Sequence, residues 1–349
     1  MNTQREVNSD IFPYDIEVIA TNLLVPWAIA ISEEGKLYVT ERSGSIWILD
    51  NGRFLSEPLI RFAFPFISQG EGGLMGIALD PDFTNNRFIY VMHTYYDDGR
   101  LYNRVVRLVE ENDKAVVDRV LIDHIPGSSV HNGGRIKIGP DQKLYIATGD
   151  AGEGELAQDL SSLAGKILRI NTDGSIPEDN PFKNSPVYTL GHRNPQGLAW
   201  SPDNELYATE HGPTAHDEIN RILPGRNYGW PIVKGDEITN RIEVEIPLVH
   251  SGDVTWAPSG LAFIEDGVWN NRLMAGGLRG EELILLTLNN DGTKMENIEL
   301  WLKNSFGRFR EVLSTSDGTI YLTTSNQDGR GNPDNTDDKI IRLIPRRNA

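Results

Sequence analysis

The chain has 349 residues, 39% of them hydrophobic and 24% charged, with 34 glycines, 19 prolines and a formal net charge of −17. So acidic a balance argues against nucleic acid or an anionic membrane as the partner, and the absence of cysteine excludes disulfides, thiolate catalysis and cysteine-ligated metal. No stretch is apolar for long enough to cross a bilayer, so no membrane insertion is expected, and the opening Met1-Asn-Thr-Gln-Arg-Glu6 has no apolar signal core.

Abundant glycine and proline, short apolar runs and few long helical patterns favour an all-β protein. Residues 1–12 are polar and read as a flexible terminus, and residues 13–349 as one domain. The alternation of Tyr14-Asp-Ile-Glu-Val-Ile-Ala20 predicts a strand. A unit then begins that recurs: strand Trp27–Ile31, an acidic glycine turn, strand Leu37–Thr40, the turn Ser43-Gly44, strand Ser45–Leu49. Copies follow at Gly76-Ile-Ala-Leu-Asp80, at Arg135 to Ile170, at Gly197-Leu-Ala-Trp-Ser201, at Gly260-Leu-Ala-Phe-Ile264 and at Glu311 to Leu343. The second apolar strands carry Tyr38, Tyr90, Tyr145, Tyr207, Met274 and Tyr321, spaced 52, 55, 62, 67 and 47 residues apart. Six units, each too small to bury its own faces, predict a six-bladed β-propeller of four-stranded antiparallel blades. The early strand Tyr14–Ala20 is placed to complete the last blade, which ends near Ile344. A pair of β-sandwiches is the alternative, and it does not explain the repetition.

In a propeller the loops at one end converge, so residues distant in sequence can share a site. Five loops break the repeat. Gly70-Glu-Gly-Gly-Leu-Met-Gly76 opens the second unit. His131-Asn-Gly-Gly-Arg135 precedes a hairpin that returns the chain to Gly149-Asp150, so the Asp150 carboxylate is expected beside His131, an arrangement that makes histidine a better general base. Gly191-His-Arg-Asn-Pro-Gln-Gly197 is dense in hydrogen-bonding groups. Glu210 to Asn220, with Asn227-Tyr-Gly-Trp-Pro231, offers oxygen ligands suited to calcium rather than zinc, or else forms a solvated acidic loop. Arg308-Phe-Arg310 presents two guanidiniums to one side, because i and i+2 on an extended segment share a face. Together with Arg193 and Arg279 they suggest a small anionic ligand, against the alternative of surface arginines paired with local acids. No nucleotide-binding glycine loop and no Gly-x-Ser-x-Gly elbow is present. Asn326 to Asp337 has a calcium-loop composition and reads as a long polar connection.

The ordered series of loops resembles the soluble quinoprotein glucose and aldose sugar dehydrogenases, the glucose/sorbosone dehydrogenase family, over residues 15–345. The resemblance implies a six-bladed propeller that holds pyrroloquinoline quinone (PQQ) and Ca2+ and oxidises aldoses at C1 to lactones. It implies His131 as the base, Asp150 as its orienting partner, and Arg193 and Asn194 at the quinone oxygens. It places Glu71 beside sugar and cofactor, and His211, Trp256, Arg279, Arg308 and Arg310 around the cofactor. The backbone oxygens of Gly212 and Pro213 are the implied ligands of one calcium, and Glu218 and Tyr228 match a second, structural one.

Glu71 and His211 stand where the glucose-specialised members carry glutamine, and Arg279 where they carry lysine. The chain also lacks their long insertions. These departures point to the broader aldose sugar branch. The resemblance further implies a monomer or homodimer that passes electrons to a separate acceptor and works outside the cytoplasm. Two other readings stand beside it: a calcium-dependent propeller lactonase, which would need carboxylates and amides around a central metal, and a non-catalytic propeller that binds a protein or glycan.

Overall fold

The computed structural model describes the strand Arg5–Glu6 and residues 12–346. The rest of the expected flexible terminus lies outside the described residues. Six sheets account for nearly all of the regular structure, and the fold class is the six-bladed β-propeller of four-stranded antiparallel blades. No helix among the described residues is long and apolar enough to cross a membrane.

The chain divides into two compact units of three blades each. One takes residues 27–195 and 223–245. Its first blade runs Pro26–Ile31, Leu37–Glu41 and Ser45–Asp50, and its outer strand comes in two pieces, Arg53–Phe54 and Ile60–Arg61, each paired with one end of Ser45–Asp50. The second blade is longer, running Leu74–Leu79, Phe88–Asp97, Arg100–Glu111 and Lys114–Pro126. The third runs Ile136–Ile138, Leu144–Thr148, Lys166–Ile170 and Val187–Leu190. Trp27, Tyr38, Met75, Tyr90, Ile136 and Ile146 belong to one continuous core across these sheets.

The other unit takes residues 1–26, 196–222 and 246–349. Its blades begin with Pro195–Trp200, Pro258–Ile264 and Phe309–Ser314. Tyr14–Ala20 pairs antiparallel with Ile340–Pro345, so the last blade takes its outer strand from the start of the chain, as the sequence predicts. The short strand Arg5–Glu6 adds to another blade, parallel to Met295–Trp301.

The Gly-x-Ala signature of the repeat has a steric cause. A Cβ on Gly76 would lie 2.4 Å from the carbonyl oxygen of Gly134 in the neighbouring blade of its unit. In the other unit, one on Gly197 would lie 2.3 Å from the Ser259 oxygen, and one on Gly260 would lie 2.5 Å from the Val312 nitrogen. First strands of adjacent blades approach so closely at these points that only glycine fits.

Candidate active site

In the unit of residues 27–195 and 223–245, the Ile136–Ile138/Leu144–Thr148 hairpin brings the two residues that flank it together. His131 Nδ1 lies 2.7 Å from Asp150 Oδ1. An ionised carboxylate only accepts, so Nδ1 carries the proton and Nε2 is left with its lone pair. The turn that permits this is tight: His131 has φ of 52°, and a Cβ on Gly149 would meet the His131 carbonyl at 1.9 Å. Glu71 fixes the same turn from the second blade, its Oε2 accepting the His131 backbone N–H at 2.9 Å.

The Asp150 side chain is 2% exposed. Burial alone would push its carboxyl up. Hydrogen bonds and charge from His131, with further donors Gly152 N and Trp230 Nε1, overcome that and hold it below the usual carboxylate range. The backbone of Asp150 also donates to the Arg193 carbonyl at 2.8 Å, which ties the two loops together. Asn194 Oδ1 accepts the Gly133 N–H at 2.9 Å, and the Arg193 guanidinium stands 5.4 Å over the Trp230 ring. Glu71, His131, Asp150, Arg193 and Asn194 are thus brought into one connected arrangement. Sequence reasoning quoted Trp230 only as part of a motif. It stands 80 positions from Asp150, so no local pattern points to the contact.

In the other unit, Arg308 and Arg310 both reach Asp328 Oδ2, at 2.9 and 3.4 Å. Asp328 sits in the long polar connection Asn326 to Asp337. Burial would raise its carboxyl, and the two guanidiniums hold it low. Arg310 is further fixed by Ser325 Oγ, and Arg308 by the Leu278 carbonyl. Just beyond that connection the Lys339 ammonium lies 2.7 Å from both Asp334 and Asp337, a protein cation for the loop of calcium-like composition.

Asp217 organises a second cluster in this unit: it accepts the backbone N–H groups of Gly212, Trp256 and Ala257. His211 Nε2 lies 3.0 Å from the Pro258 carbonyl, and Arg279, exposed, donates its backbone N–H to the Trp256 carbonyl. Glu218 accepts from Asn220 Nδ2, while Tyr228, in the other unit, stacks on His192 and accepts the Leu223 N–H.

The residues fit an anionic cofactor. The Trp256 indole nitrogen is buried with no hydrogen-bond partner among the described residues, a donor aimed at no protein acceptor, and Arg308 and Arg310 place two guanidiniums on the one Asp328 carboxylate, paired with a local acid but in excess of it. Among the described residues no donor reaches the carbonyl oxygens of Gly212 and Pro213, which leaves them open to a hard cation. No group of three or more histidine or carboxylate side chains among the described residues is arranged to hold a metal.

Comparison with known proteins agrees with the fold. Residues 23–342 match the family model described as glucose/sorbosone dehydrogenase. The chain is 32% identical to the aldose sugar dehydrogenase YliI of Escherichia coli, over 95% of this chain and 93% of that protein. It is 38% identical to quinoprotein glucose dehydrogenase B of Acinetobacter calcoaceticus over 64% of this chain, a match that spans only 53% of that longer protein. The PQQ-bound aldose sugar dehydrogenase of Streptomyces coelicolor superposes with a TM-score of 0.86 at 37% identity, covering 95% of this chain and 98% of that one. With the matched region running from the first blade to the last, the chain belongs to the glucose/sorbosone dehydrogenase family.

Proposed function

We propose that this protein is a PQQ- and calcium-dependent aldose sugar dehydrogenase that oxidises the anomeric carbon of aldoses to the lactone. The observation that carries the reading is the His131–Asp150 pair, a buried carboxylate on Nδ1 that leaves Nε2 as a base, in a chain whose relatives include a PQQ-bound sugar dehydrogenase. His131 Nε2 takes the proton of the C1 hydroxyl, and Asp150 stabilises the imidazolium that results. Bound PQQ, with calcium as Lewis acid, would supply the quinone that accepts the two electrons and the C1 hydrogen as hydride. Arg193 and Asn194 set positive charge and a hydrogen-bonding group where negative charge develops. Arg279, Arg308, Arg310, His211 and Trp256 bind the cofactor. The Gly212 and Pro213 oxygens would hold the catalytic calcium, and Glu218 and Tyr228 are candidate ligands for structural calcium. Glu71 holds the His131 backbone and meets the sugar. The electrons pass on to a separate acceptor, outside the cytoplasm.

The test is reconstitution. Purified protein is stripped with chelator, PQQ and calcium are added back, and dye reduction is followed with a panel of aldoses. Turnover that needs both additions is expected. His131→Ala should bind PQQ while kcat falls by about 10²–10⁴. Absence of turnover with every sugar, together with an unchanged quinone spectrum, would refute the reading.

A further inference from the structure

Trp230 touches two parts of the candidate site at once. Its Nε1 donates to Asp150 Oδ2 at 2.8 Å, the sole donor on that oxygen among the described residues, while Oδ1 serves His131 and Gly152. The face of the same indole lies under the Arg193 guanidinium, 5.4 Å from ring centroid to Cζ. The ring is itself held. Gln158 Nε2 donates to the Trp230 carbonyl at 2.6 Å, and Gln158 also exchanges hydrogen bonds with Asn227. The Trp230 backbone N–H donates to the Gly191 carbonyl, and the His192–Tyr228 stack, 4.7 Å between centroids, lies in the same loops. Gly154 leaves room for it, since a Cβ there would come within 3.2 Å of the indole nitrogen.

We infer that Trp230 is a positioning residue for the proposed reaction: its N–H locks Asp150, and through it the proton-accepting form of His131, while its ring fixes Arg193. A carboxylate tied at one oxygen only can swing about χ2, and the histidine it holds can then flip or exchange tautomers. Tying Oδ2 removes that freedom, so Nε2 stays the bare nitrogen. The indole face supplies the quadrupole that keeps a cation over it. Because the two jobs use different parts of the side chain, they separate by substitution.

The inference rests on the sugar dehydrogenase reading, and the test keeps the two apart. In the apo full-length protein, nitrogen-15 imidazole spectra report the His131 tautomer without any cofactor, and His131→Gln assigns its signals. Wild type is expected to show Nδ1–H with bare Nε2. Trp230→Phe keeps a ring and loses the N–H, so it should show both tautomers, a kcat about tenfold lower in the reconstituted enzyme, and a KM and PQQ dissociation constant within about twofold of wild type. Trp230→Leu loses the ring too and should also weaken PQQ about tenfold. If Trp230→Phe does not fold, Gln158→Leu, which releases the Trp230 carbonyl and the Asn227 side chain beside it but leaves the indole intact, should shift the tautomer the same way. A wild-type tautomer and kcat in the folded Phe variant, or an unmoved tautomer in Gln158→Leu where it is used, overturns the inference. Should wild type and His131→Ala turn over equally in that assay, the base assignment itself is what fails.

Discussion

Asp150 shows how a single residue links stability to pH. Its folded-state pKa lies below the unfolded value, about 3.9 for an aspartate. In the acid range the unfolded chain therefore binds more protons, and stability rises with pH. The contribution is complete above the unfolded pKa and is lost as pH falls through the lowered folded one. Asp150→Asn has no such titration. Denaturant midpoints measured from pH 7 down to pH 3 should fall less steeply for the variant than for wild type, and parallel curves would show that the buried carboxylate carries no linkage. The His131–Asp150 pair was legible in the sequence because the hairpin between them is local and returns to its origin. Asp328 was not. It belongs to a connection whose composition reads as solvated, and only the register of Phe309–Ser314 against Ile320–Thr324 brings that connection over the arginines.

The repeated glycines act one level up, between strands. The sequence displays Gly76, Gly197 and Gly260 at equivalent places in their units, yet gives no reason for glycine, because the reason is a backbone in another blade. Alanine at Gly260 would press on Arg310 O at 2.7 Å and on Val312 N. Alanine at Gly76 would press on Gly134 O and Ile136 N, the strand that follows His131. Backbone yields less readily than side chains, so each should cost at the upper end of the usual 1–3 kcal/mol for overpacking, a Tm drop of about 5 °C. The two should differ in what else they damage. Gly260→Ala displaces an arginine of the proposed cofactor grip and should raise the PQQ dissociation constant with kcat nearly kept. Gly76→Ala displaces the base loop and should lower kcat with the dissociation constant nearly kept. Calorimetry and PQQ titration check both, and identical functional profiles would show that the strain spreads instead of staying local.

At the scale of the molecule the architecture was legible because six similar units and a stray first strand leave few other arrangements, and Tyr14–Ala20 does pair with Ile340–Pro345. Charge at this scale opposes charge at the proposed site. The chain carries −17, while the cofactor assigned to it is itself a polyanion, so long-range repulsion slows their approach even though Arg308 and Arg310 attract it at contact. Salt acts differently on the two. The Debye length falls from about 30 Å at 0.01 M to about 10 Å at 0.1 M, which removes most of the field of the whole molecule. The buried guanidiniums, 6% exposed each, are screened much less. Stopped-flow mixing of apo-protein with PQQ should therefore give an association rate that climbs severalfold between those two salt concentrations, with a dissociation rate that changes much less. A chain whose arginines dominated at long range would show the reverse, an association rate falling as salt is added.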